Sequence, residues 1–371
     1  MPKPRGLKIA KGVVIKYCPP LRSSNRGSFL SGLKTNFSAY LGIKVLVFFL
    51  TFIINSNIFA TIRILTFHCN QADFIEIQYK TLNKFLKDDF ELIVFNDAKT
   101  EKNEKWIDNV CQDYQIKCVR FKPEWHLIDP LNTYLKMRLQ EPSTQGYWGW
   151  NASTSIEEIA NHPSVRHCHV IQYALDNYGY DHDDIVVIMD GDNFLIQPLS
   201  IRKLLGSNDI VGFNQRADEL AEQRRQWNIA VSKSSEMFWV VFIAFNPQKL
   251  PDVRELKFHV DVVSGHSILP NNTISDTGAA LYKYLWKHPH LQLQAYPWQH
   301  SYTYRCFEYE ELKKMRISDR LIQFVKDIAP GNVQFFAFEH FMHFSSGSFE
   351  SVDHQHKVFH LREFIDDILK S

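Results

Sequence analysis

The sequence predicts an α/β domain built on a mixed, mostly parallel sheet flanked by helices, and three observations carry that prediction. The run Ile185-Val186-Val187-Ile188-Met189 is apolar and β-branched without polar alternation, the pattern of a strand covered on both faces. Other strand-like runs, at 62–67, 91–95, 209–213 and 237–245, alternate with stretches of helical character. Polar residues follow several strand tips, where sheets of this class bind ligands.

Taken in order, the first strand, 62–67, ends in His68, Cys69 and Asn70, and a helix follows from about 73 to 86. The second strand, 91–95, ends in Asn96-Asp97, and 119–121 reads as a third, short one. Residues 122–163 are irregular and aromatic-rich, including Tyr147-Trp148-Gly149-Trp150, which suits either a substrate-side loop or a packed insert. A helix over 164–178 carries Arg166 and His167 near its start and turns Val165, Val170, Ala174 and Leu175 toward one face. It delivers the chain into the central strand, which stops at Asp190-Gly191-Asp192-Asn193 before an apolar segment closed by Pro198.

Beyond it, 201–205 reads as a short helix, 209–213 as a strand, 218–227 as a charged solvated helix, and 237–245 as a strand stopped by Asn246-Pro247. Ser275-Asp276-Thr277-Gly278 precedes a helix over 279–285, which places Asp276 or Thr277 at its N-cap. The last part returns to aromatics, from Phe335 through His340 and His343 to Ser346-Gly347-Ser348.

The chain has 371 residues, is 45% hydrophobic and 22% charged, and is long enough for one large core. Its net charge of +1 hides an asymmetry: residues 1–62 carry Lys and Arg but no Asp or Glu, so the rest is acidic on balance and offers no general case for nucleic acid. Residues 1–38 lack periodicity and read as a basic disordered tail. Segment 39–60 is hydrophobic. It reads as an uncleaved signal anchor, a cleaved signal peptide, or a buried element of the domain spanning 61–371. As an anchor it places the tail in the cytoplasm and the domain on the other side of a membrane; as a cleaved signal it makes the protein secreted. The six cysteines form neither a disulfide framework nor a zinc spacing, although Cys111 and Cys118 could pair in an oxidising compartment.

Two carboxylates one residue apart at the end of a buried strand repel each other unless something neutralises them, and a divalent cation with hard oxygen ligands does so. Gly191 between them permits a sharp turn and close approach of a ligand. Asp190-Gly191-Asp192 after such a strand resembles the DxD signature of GT-A glycosyltransferases, the nucleotide-diphospho-sugar transferase superfamily with a Rossmann-type sheet. The order of parts is also similar across about 61–350: a first strand with a polar tip, Asn96-Asp97 after the next, an Arg-bearing helix before the DxD and an Asp-containing helix start after it. His343 with Ser346-Gly347-Ser348 resembles the late His loop of that family.

The resemblance implies transfer of a sugar from a nucleotide-sugar donor to a glycan, lipid or protein hydroxyl with Mn²⁺ or Mg²⁺. Asp190, Asp192 and His343 would be metal ligands, with His340 the second choice for the last. His68, Asn70, Asp97, Arg166 and Asp190 would line the donor, with Arg166 facing the diphosphate. Asp276 would be the base of an inverting reaction; a retaining one needs no base there. The Lys-Pro-Trp that closes the His motif of one retaining group is absent after His343. A haloacid-dehalogenase-like phosphatase also carries DxD, but its motif sits on the first strand and continues differently from Asn193-Phe194. A third reading is a non-catalytic, carbohydrate- or partner-binding relic of the fold.

Overall fold

Unbroken apolar runs require cover on both faces, and the structure supplies it. It is a computed structural model that describes residues 61–141, 150–215, 237–263, 273–275, 277–278, 280–299, 319, 323, 334–336, 340–344 and 352–371. The chain divides into two units, Met1–Ile58 and Phe59–Ser371, and every described residue belongs to the second. The expected tail and hydrophobic segment at 1–38 and 39–60 lie outside the described residues, as does the expected charged helix at 218–227. Among the described residues no helix is long and apolar enough to cross a membrane.

The strands in chain order are β1 (Ile62–His68), β2 (Phe90–Asn96), β3 (Lys117–Arg120), β4 (Val186–Asp190), β5 (Asn193–Leu195), β6 (Ile210–Gln215), β7 (Met237–Phe245), β8 (Asp261–Val263), β9 (Thr273–Ser275), β10 (Leu293–Gln299), β11 (Gln334–Phe336) and β12 (Phe341–His343). The helices are α1 (Asp73–Phe85), α2 (Glu101–Asp113), α3 (Pro123–Ile128), α4 (Pro130–Arg138), α5 (Ile156–Asn161), α6 (Pro163–Ala174), α7 (Ile201–Leu205), α8 (Leu281–Lys287) and α9 (Val352–Lys370).

The strands hydrogen-bond in the order β3-β2-β1-β4-β7-β6-β10-β11-β12-β5, with β8 and β9 paired separately. From β3 to β10 the sheet is mixed and mostly parallel: β7 alone runs opposite, against β4 on one side and β6 on the other. The remaining strands, β11, β12 and β5, extend it as an antiparallel edge. This is the α/β class that the sequence predicts.

Alternation along β4 explains why its run is uniformly apolar. Val187 and Met189 pack with Ile64, Val94 and the inner faces of α1 and α2, including Ile75, Leu82 and Ile107. Val186 and Ile188 face the other way, onto Val170, Ile171 and Ala174 of α6 and Leu281 and Tyr284 of α8. Burying both faces of a five-residue strand leaves its polar tip, Asp190, as the one part that meets solvent.

The α9 helix closes a third cluster. Val358, Leu361, Phe364 and Ile365 pack with Phe74 and Ile77 of α1 and with Phe194, Met342 and Phe344. It therefore fixes β5 and β12 against α1.

Three expectations change in detail. Residues 122–163 are not irregular throughout, because α3, α4 and α5 lie there. They are short and opened by Pro123, Pro130 and a Ser155–Glu158 capping box, so local caps define them where apolar periodicity has no room to develop. Tyr147-Trp148-Gly149 lie outside the described residues, whereas Trp150 is buried against α5 and α6 neighbours. The helix expected over 279–285 is α8; it starts at Leu281 behind Ala280 and has no side-chain cap, so Thr277 does not serve as one. Finally α2, capped by Thr100 and burying only Ile107 and Cys111, is a helix that the sequence reading does not contain.

Candidate functional site

The turn after β4 is held from three sides. Gln78, a polar residue on the buried face of α1, donates its side-chain amide to the carbonyls of Asp190 and Asn193, both at 3.0 Å. Asn193 donates to the Val241 carbonyl at 3.1 Å, tying the turn to β7. Gly191 lies against the end of β1: a Cβ there would sit 2.5 Å from the Phe67 carbonyl oxygen and 2.8 Å from His68 Cε1 and Nδ1. The residue between the two acids is thus glycine for want of space.

The register of the edge strands then brings in the late histidine. β12 runs antiparallel to β5 with His343 opposite Asn193, and the Phe344 amide donates to the Asp192 carbonyl at 2.8 Å. His343, about 150 residues away in sequence, arrives with its Nε2 at 3.0 Å from Asp192 Oδ1. Asp190, Asp192 and His343 each offer one ligand atom, and these atoms lie within 4.8 Å of one another. Ligand atoms about 2.0–2.6 Å from a common ion stand no more than about 5 Å apart, so two carboxylates and an imidazole at this spacing fit a divalent cation. His340 is not in the group; its amide oxygen accepts from Ile196, and burial lowers its pKa.

A second acid–imidazole group, Asp252, Glu255 and His288, already contains a cation. Lys287 pairs with Glu255 and stands 3.9 Å from Asp252.

A cleft of about 630 Å³ opens beside the first group at the carboxyl edge of the sheet. Its lining includes His68, Asn70, Asp97, Arg166, Asp190 and Asp192, so the structure brings all the residues expected on the donor side to one cavity. His343 is not among the lining residues and reaches the site from behind Asp192. Asp276 lies outside the described residues, although its neighbour Thr277 lines the cleft.

Several of these side chains differ from the simplest expectation for a surface site. Arg166 is 5% exposed and donates to Asp97 Oδ1 at 2.7 Å. His68 is buried beneath Gly191 with Thr66 Oγ1 at 3.2 Å from its Nε2, and burial pushes its pKa down to about 4, so it is a neutral support under the turn. Cys69 is held as a thiol, pushed up to about 11 by burial first and then by Asp97, which removes it as a nucleophile at neutral pH.

Sequence reasoning gave no role to Gln78, His167 or His126. His167 Nε2 lies 3.2 Å from Asp190 Oδ1, and its ring packs edge-on against Phe67. The one available signal was Gln78, a polar residue at an apolar-face position of an amphipathic helix.

Two buried histidines predict an acid weakness. His68 and His169 have folded-state pKa values of about 4 and about 3, both lowered chiefly by burial, against an ordinary value of 6.5. Below the ordinary value the unfolded chain binds protons that the folded one refuses, so stability falls as pH falls through that window. The slope is about 1.4 kcal/mol per pH unit for each histidine. Asp129, whose carboxyl burial raises, works in the opposite sense at the acid end. Urea unfolding at neutral pH and at about pH 5 should show the loss, and His169→Gln should flatten it; an equally stable wild-type protein at both values would contradict the assignment.

Fold and site together define an α/β protein with a paired-carboxylate and histidine group beside a cleft at the carboxyl edge of a mixed sheet. No family model and no curated protein matches the sequence. Among solved structures the chain is similar to mannosyltransferase PcManGT from Pyrobaculum calidifontis in complex with GDP-Man and Mn²⁺, at 12% identity and a TM-score of 0.33, over 70% of this chain and 64% of that one. It is also similar to galactosyltransferase LgtC in complex with donor and acceptor sugar analogs, at 13% identity and a TM-score of 0.35, over 64% of this chain and 73% of that one. A third similarity, at 12% identity and a TM-score of 0.30, is to the bifunctional glycosyltransferase WbbM, over 52% of this chain and 32% of that one.

Proposed function

We propose that the chain is a metal-dependent glycosyltransferase that moves a sugar from a nucleotide-sugar donor to a hydroxyl acceptor. The observation that supports this most is the pairing of β5 with β12, which sets His343 beside Asp192 and Asp190 at the edge of the cleft. A phosphatase that uses the first acid as nucleophile has no need of a histidine recruited to the second from the far end of the chain.

In this reading Asp190, Asp192 and His343 hold Mn²⁺ or Mg²⁺, which when bound neutralises the charge that develops on a departing diphosphate. Arg166 adds guanidinium donors for phosphate oxygens, oriented by Asp97. His68 and Asn70 close the nucleotide side of the cleft. Asp276 is the base proposed for an inverting reaction, taking the proton of the acceptor hydroxyl. The hydrophobic character of 39–60, free of charge from Val45 onward and preceded by a basic tail, supports an anchor that holds the domain at a membrane, on its non-cytoplasmic side.

The experiment is a panel of nucleotide sugars incubated with the protein and Mn²⁺ or a chelator. Metal-dependent release of the nucleoside diphosphate from one donor is the expected result. Metal-dependent hydrolysis of an aryl phosphate with no action on the panel would overturn it in favour of the phosphatase.

A further inference from the structure

We infer that His126, braced by His169, is a positioning residue for donor binding: as a neutral imidazole in one fixed tautomer it holds Asp97, and through it Arg166, at the wall of the cleft. The inference rests on the proposed reading of the cleft as a nucleotide-sugar site.

Asp97 follows β2 and lines the cleft, and its Oδ1 is approached by two donors. From α6 comes Arg166 Nη2 at 2.7 Å, and from α3 comes His126 Nε2 at 2.5 Å. His126 is 1% exposed, lies 4.7 Å from the Phe121 ring centroid, and has its backbone pinned by Asn132, whose amide donates to the His126 carbonyl at 2.5 Å. Behind it, His126 Nδ1 lies 3.1 Å from Nδ1 of His169, which is also 1% exposed.

Counting protons along this chain gives its direction. A carboxylate only accepts, so His126 Nε2 carries a hydrogen. Arg166 already balances Asp97 at 2.7 Å, and the other carboxylate beside the pair, Asp129, is part-exposed and stands beyond hydrogen-bond distance at 3.6 Å from His169, so a second cation in this interior would lack a close counter-charge. His126 is therefore neutral and bare at Nδ1, which makes His169 the donor across the Nδ1–Nδ1 contact. His169 is left bare at Nε2, an atom with no hydrogen-bond partner and with Asp129 Oδ1 at 3.6 Å. Burial, His126 and Arg166 all oppose a proton on His169, which agrees with this assignment. Both hydrogen bonds in the His169–His126–Asp97 series thus point at Asp97, whose only fixed-charge partner among the described residues is Arg166 of the cleft wall. Removing His126 leaves Asp97 a single side-chain donor and frees it to rotate, taking the guanidinium with it.

The test uses the whole chain and its His126→Leu and His126→Gln variants, with Mn²⁺ and either UDP or GDP as the probe. Calorimetry should show affinity reduced at least about tenfold in His126→Leu, the loss expected when a buried hydrogen bond to a charged group is removed. Affinity should return to within about threefold of wild type in His126→Gln, whose amide N–H replaces the donor to Asp97. With a turned-over donor the Leu variant should raise KM more than it lowers kcat. Imidazole ¹H–¹⁵N spectra of wild-type protein at neutral pH should show His126 protonated at Nε2 alone and His169 at Nδ1 alone, a readout that stands even if the Leu variant fails to fold.

Wild-type affinity in His126→Leu, failure of Gln to do better than Leu, or a doubly protonated His126 would each overturn the inference. If wild-type protein binds neither nucleoside diphosphate, the reading of the cleft falls and this role with it. If it binds and His126→Leu binds equally well, this role alone falls.

Discussion

Asp192→Asn is expected to abolish Mn²⁺-dependent binding of a nucleoside diphosphate while the unfolding midpoint stays close to wild type. Asn preserves the size of the side chain and loses its charge, so the Asp190–Asp192–His343 group keeps its shape and forfeits half of its anionic character. Loss of a direct ligand should exceed the 10- to 100-fold typical of partners one shell further out, giving a loss of more than about 100-fold. The fold has little reason to follow, because Asp192 holds the turn through its backbone carbonyl, which Asn retains for the Phe344 amide. Relief of a carboxylate facing Asp190 partly offsets the lost contact with His343. Calorimetry with and without Mn²⁺, beside urea unfolding, measures both halves. Unchanged metal-dependent turnover in the variant would sink the metal assignment.

Gly191→Ala is expected to damage the site and the fold together. The added methyl group meets the Phe67 carbonyl at 2.5 Å, and that oxygen belongs to β1 in the centre of the parallel sheet. Swinging the His68 ring away does not remove the backbone clash, so either the turn or the end of β1 must move. Overpacking of this kind costs about 1–3 kcal/mol. Because Gln78 bonds to the carbonyls on both sides of Gly191, the displacement passes to both acids. The variant should therefore unfold at lower urea and bind Mn²⁺ more weakly, whereas Asp192→Asn affects only the second. A Gly191→Ala protein with wild-type stability would show that the turn is looser than the contacts with Phe67 and His68 require.

Both predictions concern a turn whose chemistry was open to sequence reasoning for a physical reason. A strand buried on both faces has no freedom in its composition, so the run 185–189 announces itself, and two acids at its end stand out against it. The strands flanking it were readable on the same ground. His343 could be suggested only through a family resemblance, because what brings it to Asp192 is the register of two three-residue strands, and strands that short carry no periodicity. The His126–His169 pair was illegible: α3 is six residues long, and nothing in Pro123–Ile128 reveals that its histidine will meet a carboxylate from the tip of β2. Arg166 was legible as a candidate, but its burial was not, since that depends on Asp97 being placed to receive it.

The proposed function stands on Asp190, Asp192 and His343 sharing one divalent cation beside the cleft. Crystals of the protein grown with Mn²⁺ and a nucleoside diphosphate, with data collected at the manganese absorption edge, test it most directly. One anomalous peak is expected within about 2.0–2.6 Å of a carboxylate oxygen from each aspartate and a nitrogen of His343, with the diphosphate on its open side. A diphosphate bound in the cleft with no peak among these three residues, or a peak that excludes His343, would contradict it.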